Sequence, residues 1–176
     1  MKNLKFTIIT FYQFKKNTKM YKFQILLKEF CSFHKIKGTI LLADEGINGT
    51  LAGLYESISL LEKKLDILGF ANLEKKKSIY QTMPFNRLKI KIKKEIVTFG
   101  DKNLNVEKLK GKHINTNNWN KLIQDKETLV IDVRNEFEIK LGSFKGSINP
   151  NTKNFSEFKK FIKKKLYQEK NKKIAM

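Results

Sequence analysis

Over residues 6–97 the apolar side chains switch between a period of about two and a period of about 3.6, in an order few folds accept. Phe6 to Phe14 is rich in aromatic and β-branched residues and predicts a first strand. From Met20 to His34 the residues Phe23, Leu26, Leu27, Phe30 and Cys31 share one helical face. Gly38 to Ala43 and Gly49 to Ala52 are apolar runs on either side of Asp44-Glu45-Gly46-Ile47-Asn48, whose glycine and asparagine suit the positive φ angles of a hairpin. Leu54, Ile58, Leu61, Leu65 and Leu68 recur at helical spacing, with Gly69 placed to end that helix. Arg87 to Val97 sets Arg87, Lys89, Lys91 and Lys93 against Leu88, Ile90 and Ile92, a strict alternation that sends basic and apolar residues to opposite faces of a strand.

The order is βαββαβ, a ferredoxin-like α+β domain over residues 1–97. In that arrangement both helices cover one face of the sheet. If Leu88, Ile90 and Ile92 face them, the basic ladder lines the open face. Residues 98–118 are polar and charged and read as a linker. A second region of a different kind occupies residues 119–176. Trp119, Leu122 and Ile123 open a short helix after the cap candidates Asn117 and Asn118. Leu129 to Val133 is a continuous apolar run, as in parallel strands covered on both faces. Asn135 with Glu138, and Asn154 with Glu157, have capping-box spacing, the latter before a helix with Phe155, Phe158, Ile162 and Leu166 inward. This is βα-type sequence, an incomplete α/β domain.

Composition narrows the partners. The formal net charge is +20, and phosphates attract lysine with release of counterions, so nucleic acid leads. Only Arg87 and Arg134 are arginines among 37 basic residues, a lysine bias that an AT-rich coding sequence also produces. A single cysteine, Cys31, excludes an intramolecular disulfide and a multi-cysteine zinc site, and points to a reducing cytoplasm. The apolar stretch near the start is followed by Lys15-Lys16 and is too short to span a bilayer, so no membrane is expected.

Two stretches carry a resemblance. Lys37-Gly-Thr-Ile-Leu-Leu-Ala-Asp-Glu-Gly-Ile-Asn-Gly-Thr-Leu-Ala-Gly53 precedes Asp132-Val-Arg-Asn-Glu-Phe-Glu138, with Phe85-Asn-Arg-Leu-Lys-Ile-Lys-Ile-Lys93 and the Trp119 region between them. Together they resemble the tRNA uridine(34) hydroxylase family, in which a ferredoxin-like domain precedes a rhodanese-like one. The resemblance implies tRNA as partner, 5-hydroxyuridine at the wobble position as product, and molecular oxygen as co-substrate, with no other cofactor evident. It also implies a persulfide-forming cysteine in a loop after a strand that would match Lys172 to Met176, and no residue of this sequence matches that cysteine. Residues after 117 are therefore expected to be the first half of a rhodanese-like domain, poorly protected in solution, and hydroxylation by this polypeptide alone is not expected.

The candidate residues follow. Arg87, Lys89, Lys91 and Lys93 are the candidate tRNA-binding ladder; neighbours about 7 Å apart in water repel by only about 0.6 kcal/mol, so the ladder is also stable without a partner. Asp132 and Arg134 lie where a parallel strand ends, the edge at which α/β sheets place ligands. They either support the rhodanese site or serve local ion pairing. Cys31 sits on an apolar helical stripe and reads as structural. His34 and His113 lie in different regions, so a two-histidine, one-carboxylate iron site is not expected, nor any other metal. Tyr12 to Lys19 lacks a glycine-arginine anion cradle, which argues against acylphosphatase activity. Three functions stay open: the family hydroxylation, a non-catalytic RNA-binding module, and rhodanese-type sulfur transfer.

Overall fold

A computed structural model describes residues 5–96, 111–165, 169 and 171–176. The chain divides into two compact units, Met1–Ile96 and Val97–Met176. In the first, β1 (Phe6–Phe14), α1 (Met20–Phe33), β2 (Lys37–Ala43), β3 (Gly46–Gly53), α2 (Tyr55–Ile67), β4 (Glu74–Tyr80) and β5 (Leu88–Ile92) follow in order. The five strands form one sheet in the order β4-β1-β3-β2-β5. β1 through β4 make the antiparallel ferredoxin-like core, and β5 adds to its edge parallel to β2.

One core holds this unit. Ile9, Phe11, Ile40, Leu42, Ile47 and Leu51 point from the sheet into the same buried cluster as Leu27 and Cys31 of α1 and Ile58, Leu61 and Leu65 of α2. Both helices therefore lie on one face, and the apolar periodicities of strand and helix converge there. Burying each of these aliphatic side chains contributes about 1.5–3 kcal/mol. α2 ends where Gly69 takes φ +94° and Phe70 N–H reaches back to the Leu65 carbonyl at 2.9 Å.

The structure departs from the sequence expectations at three places. The ladder Arg87 to Val97 is not the fourth strand of the βαββαβ order. That place belongs to β4, whose sequence Glu-Lys-Lys-Lys-Ser-Ile-Tyr is exposed at every position and carries no apolar alternation to read. It forms because β1 offers a free edge, and its helix-side lysines, Lys75 and Lys77, are satisfied by Glu62 of α2 at 2.8 and 2.6 Å. The ladder becomes the fifth strand, shorter than expected, with Val97 outside the described residues.

The hairpin is also tighter than expected. Ala43 pairs with Gly46, leaving Asp44-Glu45 as a two-residue turn, and Gly46 to Asn48 belong to β3. Only Gly46 there has positive φ, at +152°. A Cβ on it would stand 2.0 Å from the Gln13 carbonyl oxygen, and one on Gly49 would stand 2.6 Å from the Phe11 ring. The Gly-Ile-Asn-Gly run is thus a packing device for β1 against β3.

In the second unit, α3 (Thr116–Gln124), β6 (Thr128–Val130), α4 (Glu136–Lys140), a 3₁₀ turn Phe155–Glu157, α5 (Phe158–Lys165) and β7 (Lys173–Ala175) are described. β6 pairs in parallel with β7, and Ile131 bridges in parallel to Ile148. Ile131 and Phe158 are the buried centre, with Phe155 and Ile162 packed on them as the spacing predicts; Leu166 lies outside the described residues. The third departure is the cap of α3. It is Asn115, whose side chain accepts from Asn118 N–H at 3.0 Å, so the helix starts inside the expected 98–118 linker. Most of that linker, residues 97–110, lies outside the described residues. Asn135 N–H donates to Glu138 at 3.1 Å, as capping-box spacing requires. No helix among the described residues is long and apolar enough to cross a membrane.

Candidate functional site

α1 and α2 cover one face of the first unit's sheet, and no described element of that unit covers the open face opposite. Paired residues in neighbouring strands point to the same side, so the register lists what that face presents. One row runs Lys76, Thr10, Thr50, Thr39, Lys89 across all five strands. The next runs Glu74, Tyr12, Asn48, Leu41, Lys91. Leu88, Ile90 and Ile92 pack on the core, which puts Lys89 and Lys91 on the open face as the alternation predicts.

Arg87 and Lys93 flank β5 and are held to its register by the backbone. The Arg87 carbonyl accepts from Gly38 N–H at 3.1 Å, and Lys93 N–H donates to the Leu42 carbonyl at 2.8 Å. Both side chains are exposed. The four ladder residues thus follow one edge of the sheet, along a strand whose other side chains are half-buried against the core. Lysine on an edge strand also blocks unwanted strand pairing, which gives the ladder a structural use as well.

The floor between the edges was not legible as a site. Thr10 and Thr50 hydroxyls meet at 3.3 Å. Tyr12 donates its hydroxyl to Glu74 Oε2 at 2.5 Å, and that bond, followed by partial burial, raises its pKa above the ordinary phenol value. The Asn48 side chain is half-buried and makes no hydrogen bond to another described residue. The signal for these residues existed, as alternate positions of β1 and β3, but it needs the register between strands to become a surface.

The second candidate cluster lies where β6 ends. Asp132 is buried and accepts from Arg134 Nε at 2.9 Å, Arg134 Nη2 at 2.6 Å, Arg134 N–H at 3.2 Å and Ser143 Oγ at 2.7 Å. Arg134 Nη2 also donates to the Gly142 carbonyl at 2.6 Å. The guanidinium, with Ser143 behind it, holds the Asp132 carboxyl well below the usual carboxylate range. A carboxylate with four donors has no free lone pair for base catalysis. The pair ties residues 132–134 to residues 142–143.

This arrangement sets a pH dependence. Asp132 has a lowered folded pKa, so its contribution is complete above the unfolded value near 3.9 and is lost as pH falls through the folded value. The Arg134 Nε–H resonance should therefore persist from neutral pH to below about pH 4 and broaden only under stronger acid. Titration of that resonance at the ordinary aspartate value would contradict the ion-pair reading.

Cys31 is fully buried and desolvation pushes its thiol up to about 12. His34 packs its ring on Phe30 at 4.4 Å. No group of three histidine, cysteine or acidic side chains among the described residues could hold a metal ion.

Comparison with known proteins bears on both units. The family model described as UPF0176 acylphosphatase like domain matches residues 6–96. A protein of Synechocystis sp. named tRNA uridine(34) hydroxylase is 40% identical over 172 residues, covering 97% of this chain and 62% of that protein. One of the same name from Teredinibacter turnerae is 45% identical over 151 residues, covering 85% of this chain and 47% of that protein. The chain thus spans from about half to three-fifths of the length of these curated relatives. A solved acylphosphatase from Coxiella burnetii aligns at 11% identity over 49% of this chain and 93% of its own, with a TM-score of 0.36.

Proposed function

We propose that this chain, which belongs to the UPF0176 family with its acylphosphatase-like amino-terminal domain, supplies the tRNA-holding part of a wobble-uridine hydroxylase. The single observation that carries the reading is the open sheet face with lysine along its β5 edge, on a chain of net charge +20. Arg87, Lys89, Lys91 and Lys93 contact phosphates there and release counterions as they do. The reaction of the whole protein forms 5-hydroxyuridine with molecular oxygen as co-substrate, in the cytoplasm where tRNA is found. The second unit is read as rhodanese-like, on its parallel β6–β7 pair and the Asp132–Arg134 turn. No described side chain is assigned a catalytic role.

Replacing Lys89, Lys91 and Lys93 together by glutamine should lower tRNA affinity about tenfold or more near 0.1 M salt. The slope of log affinity against log salt should fall by about two to three, since each phosphate contact contributes close to one. Fluorescence anisotropy with labelled tRNA across a salt series measures both, and an unchanged affinity and slope would remove the proposal. The non-catalytic reading is favoured by one observation, the burial of the only thiol. Nucleoside analysis of tRNA incubated with the purified chain separates it from hydroxylation, and a thiosulfate assay separates both from sulfur transfer.

A further inference from the structure

The open face has lysines along its β5 edge, Lys76 and Glu74 on its β4 edge, and an uncharged middle. From Lys76 to Lys89 the central row crosses four strand spacings, about 19 Å at roughly 4.8 Å each. Between those rims Thr10, Thr50 and Thr39 present hydroxyls, and the adjoining row presents Tyr12, Asn48 and Leu41. A duplex shows a protein its phosphates and sugar hydroxyls, and is gripped by charge set along the backbone track. An uncharged floor with charge only at its borders offers it little. Unpaired nucleotides differ, because their bases splay from the backbone, lie on apolar or aromatic surface, and expose hydrogen-bonding edges.

The floor supplies both needs in one row. The Tyr12 ring is anchored at its hydroxyl by Glu74 and its neighbour ring, Phe14, meets it edge-on at 6.3 Å, so its orientation is fixed before a ligand arrives. Directly across the ladder stands Asn48, with Leu41 beyond it on β2. The Asn48 amide has two donors and an acceptor and no described partner for them. It is also the one polar side chain in the Gly46-Ile47-Asn48-Gly49 run, whose other members are buried and explained by packing.

We infer that this face takes unpaired RNA nucleotides, with a base lying on Tyr12 and Leu41 and its edge read by the Asn48 amide, while the backbone runs along the β5 lysines. The inference rests on the tRNA-holding reading above and names what part of an RNA that surface accepts. Lysines at the β5 edge set affinity and its salt dependence. Tyr12 and Asn48 set the preference for single strands and for particular bases.

The test uses the full chain with a labelled single-stranded RNA of about ten nucleotides and the same RNA annealed to its complement. The single strand should bind at least tenfold more tightly than the duplex. Tyr12→Leu should weaken single-strand binding by about five- to a hundredfold, the range for loss of one base–aromatic stack, with an unchanged salt slope. Asn48→Ala should weaken it less and flatten the differences among homopolymers of the four bases. Thr50→Val, which removes a floor hydroxyl and keeps the strand shape, serves as a second floor variant, and thermal melts confirm that each variant folds. Equal binding of single strand and duplex, or Tyr12 and Asn48 variants that match the parent while the lysine variant loses affinity, would overturn the inference and leave the lysine reading in place. Loss of neither would bring down both.

Discussion

Replacing Gly46 by alanine should unfold the first unit or lower its melting temperature by roughly 15–30 °C. Two costs coincide there. At φ +152° an L side chain is strained, and its Cβ would stand 2.0 Å from the carbonyl oxygen of Gln13 on β1. That oxygen is backbone, fixed by a ladder in which Gln13 pairs with Ile47 and Phe14 with Gly46, so it cannot retreat without opening β1 from β3. The turn above it is pinned as well, since Lys15 and Asn17 N–H groups donate to the Glu45 and Asp44 carbonyls at 2.8 and 2.7 Å. A combined cost of about 3–5 kcal/mol is a large part of the 5–15 kcal/mol that ordinarily separates folded from unfolded chains. Gly111→Ala, where an added Cβ meets nothing within 4 Å, is the control and should change stability by less than about 0.5 kcal/mol. Far-ultraviolet circular dichroism on heating measures both. A Gly46 variant that melts with the parent would show that β1 and β3 do not approach as described.

Native Cys31 should react with alkylating reagents at pH 8 at least about a thousandfold more slowly than the same thiol in denaturant. Burial raises its pKa from 9.0 to about 12, which alone lowers the thiolate fraction by about that factor. Leu27, on the same helical face, and Ile36 just after α1 belong to the same buried cluster, so no reagent reaches the sulfur without local opening. The observed rate then reports the opening of α1 from the sheet. The same burial bears on function, because a thiol held protonated and closed off from solvent is poorly placed to carry a persulfide. Rapid labelling of the folded chain, at the rate of an exposed thiol, would reopen Cys31 as a candidate nucleophile.

How far the sequence was legible follows from what each element depends on. α1 and α2 were readable because Leu27, Cys31, Ile58, Leu61 and Leu65 repeat at helical spacing and are buried together. β5 was readable as a strand from its alternation, but not its place, because alternation says which face a residue takes and nothing about which neighbour it pairs with. β4 was not readable at all. Its lysines face Glu62 on one side and solvent on the other, an assignment that exists only after α2 has packed. The Asp132–Arg134 pair was legible as neighbours at a strand end, but its partners Ser143 and Gly142, which the chain brings back from beyond α4, were not.

The sequence by itself determined the layer arrangement of the first unit, the buried fate of its cysteine and the division of β5 into a basic and an apolar side, since each depends on spacing within one segment. Only the tertiary structure decided that Thr10, Tyr12, Asn48, Thr50 and Leu41 form one uncharged floor beside the β5 lysines. Those residues come from three strands, and their neighbourhood is a matter of inter-strand register, which hydrogen bonds between distant segments set and no local period encodes.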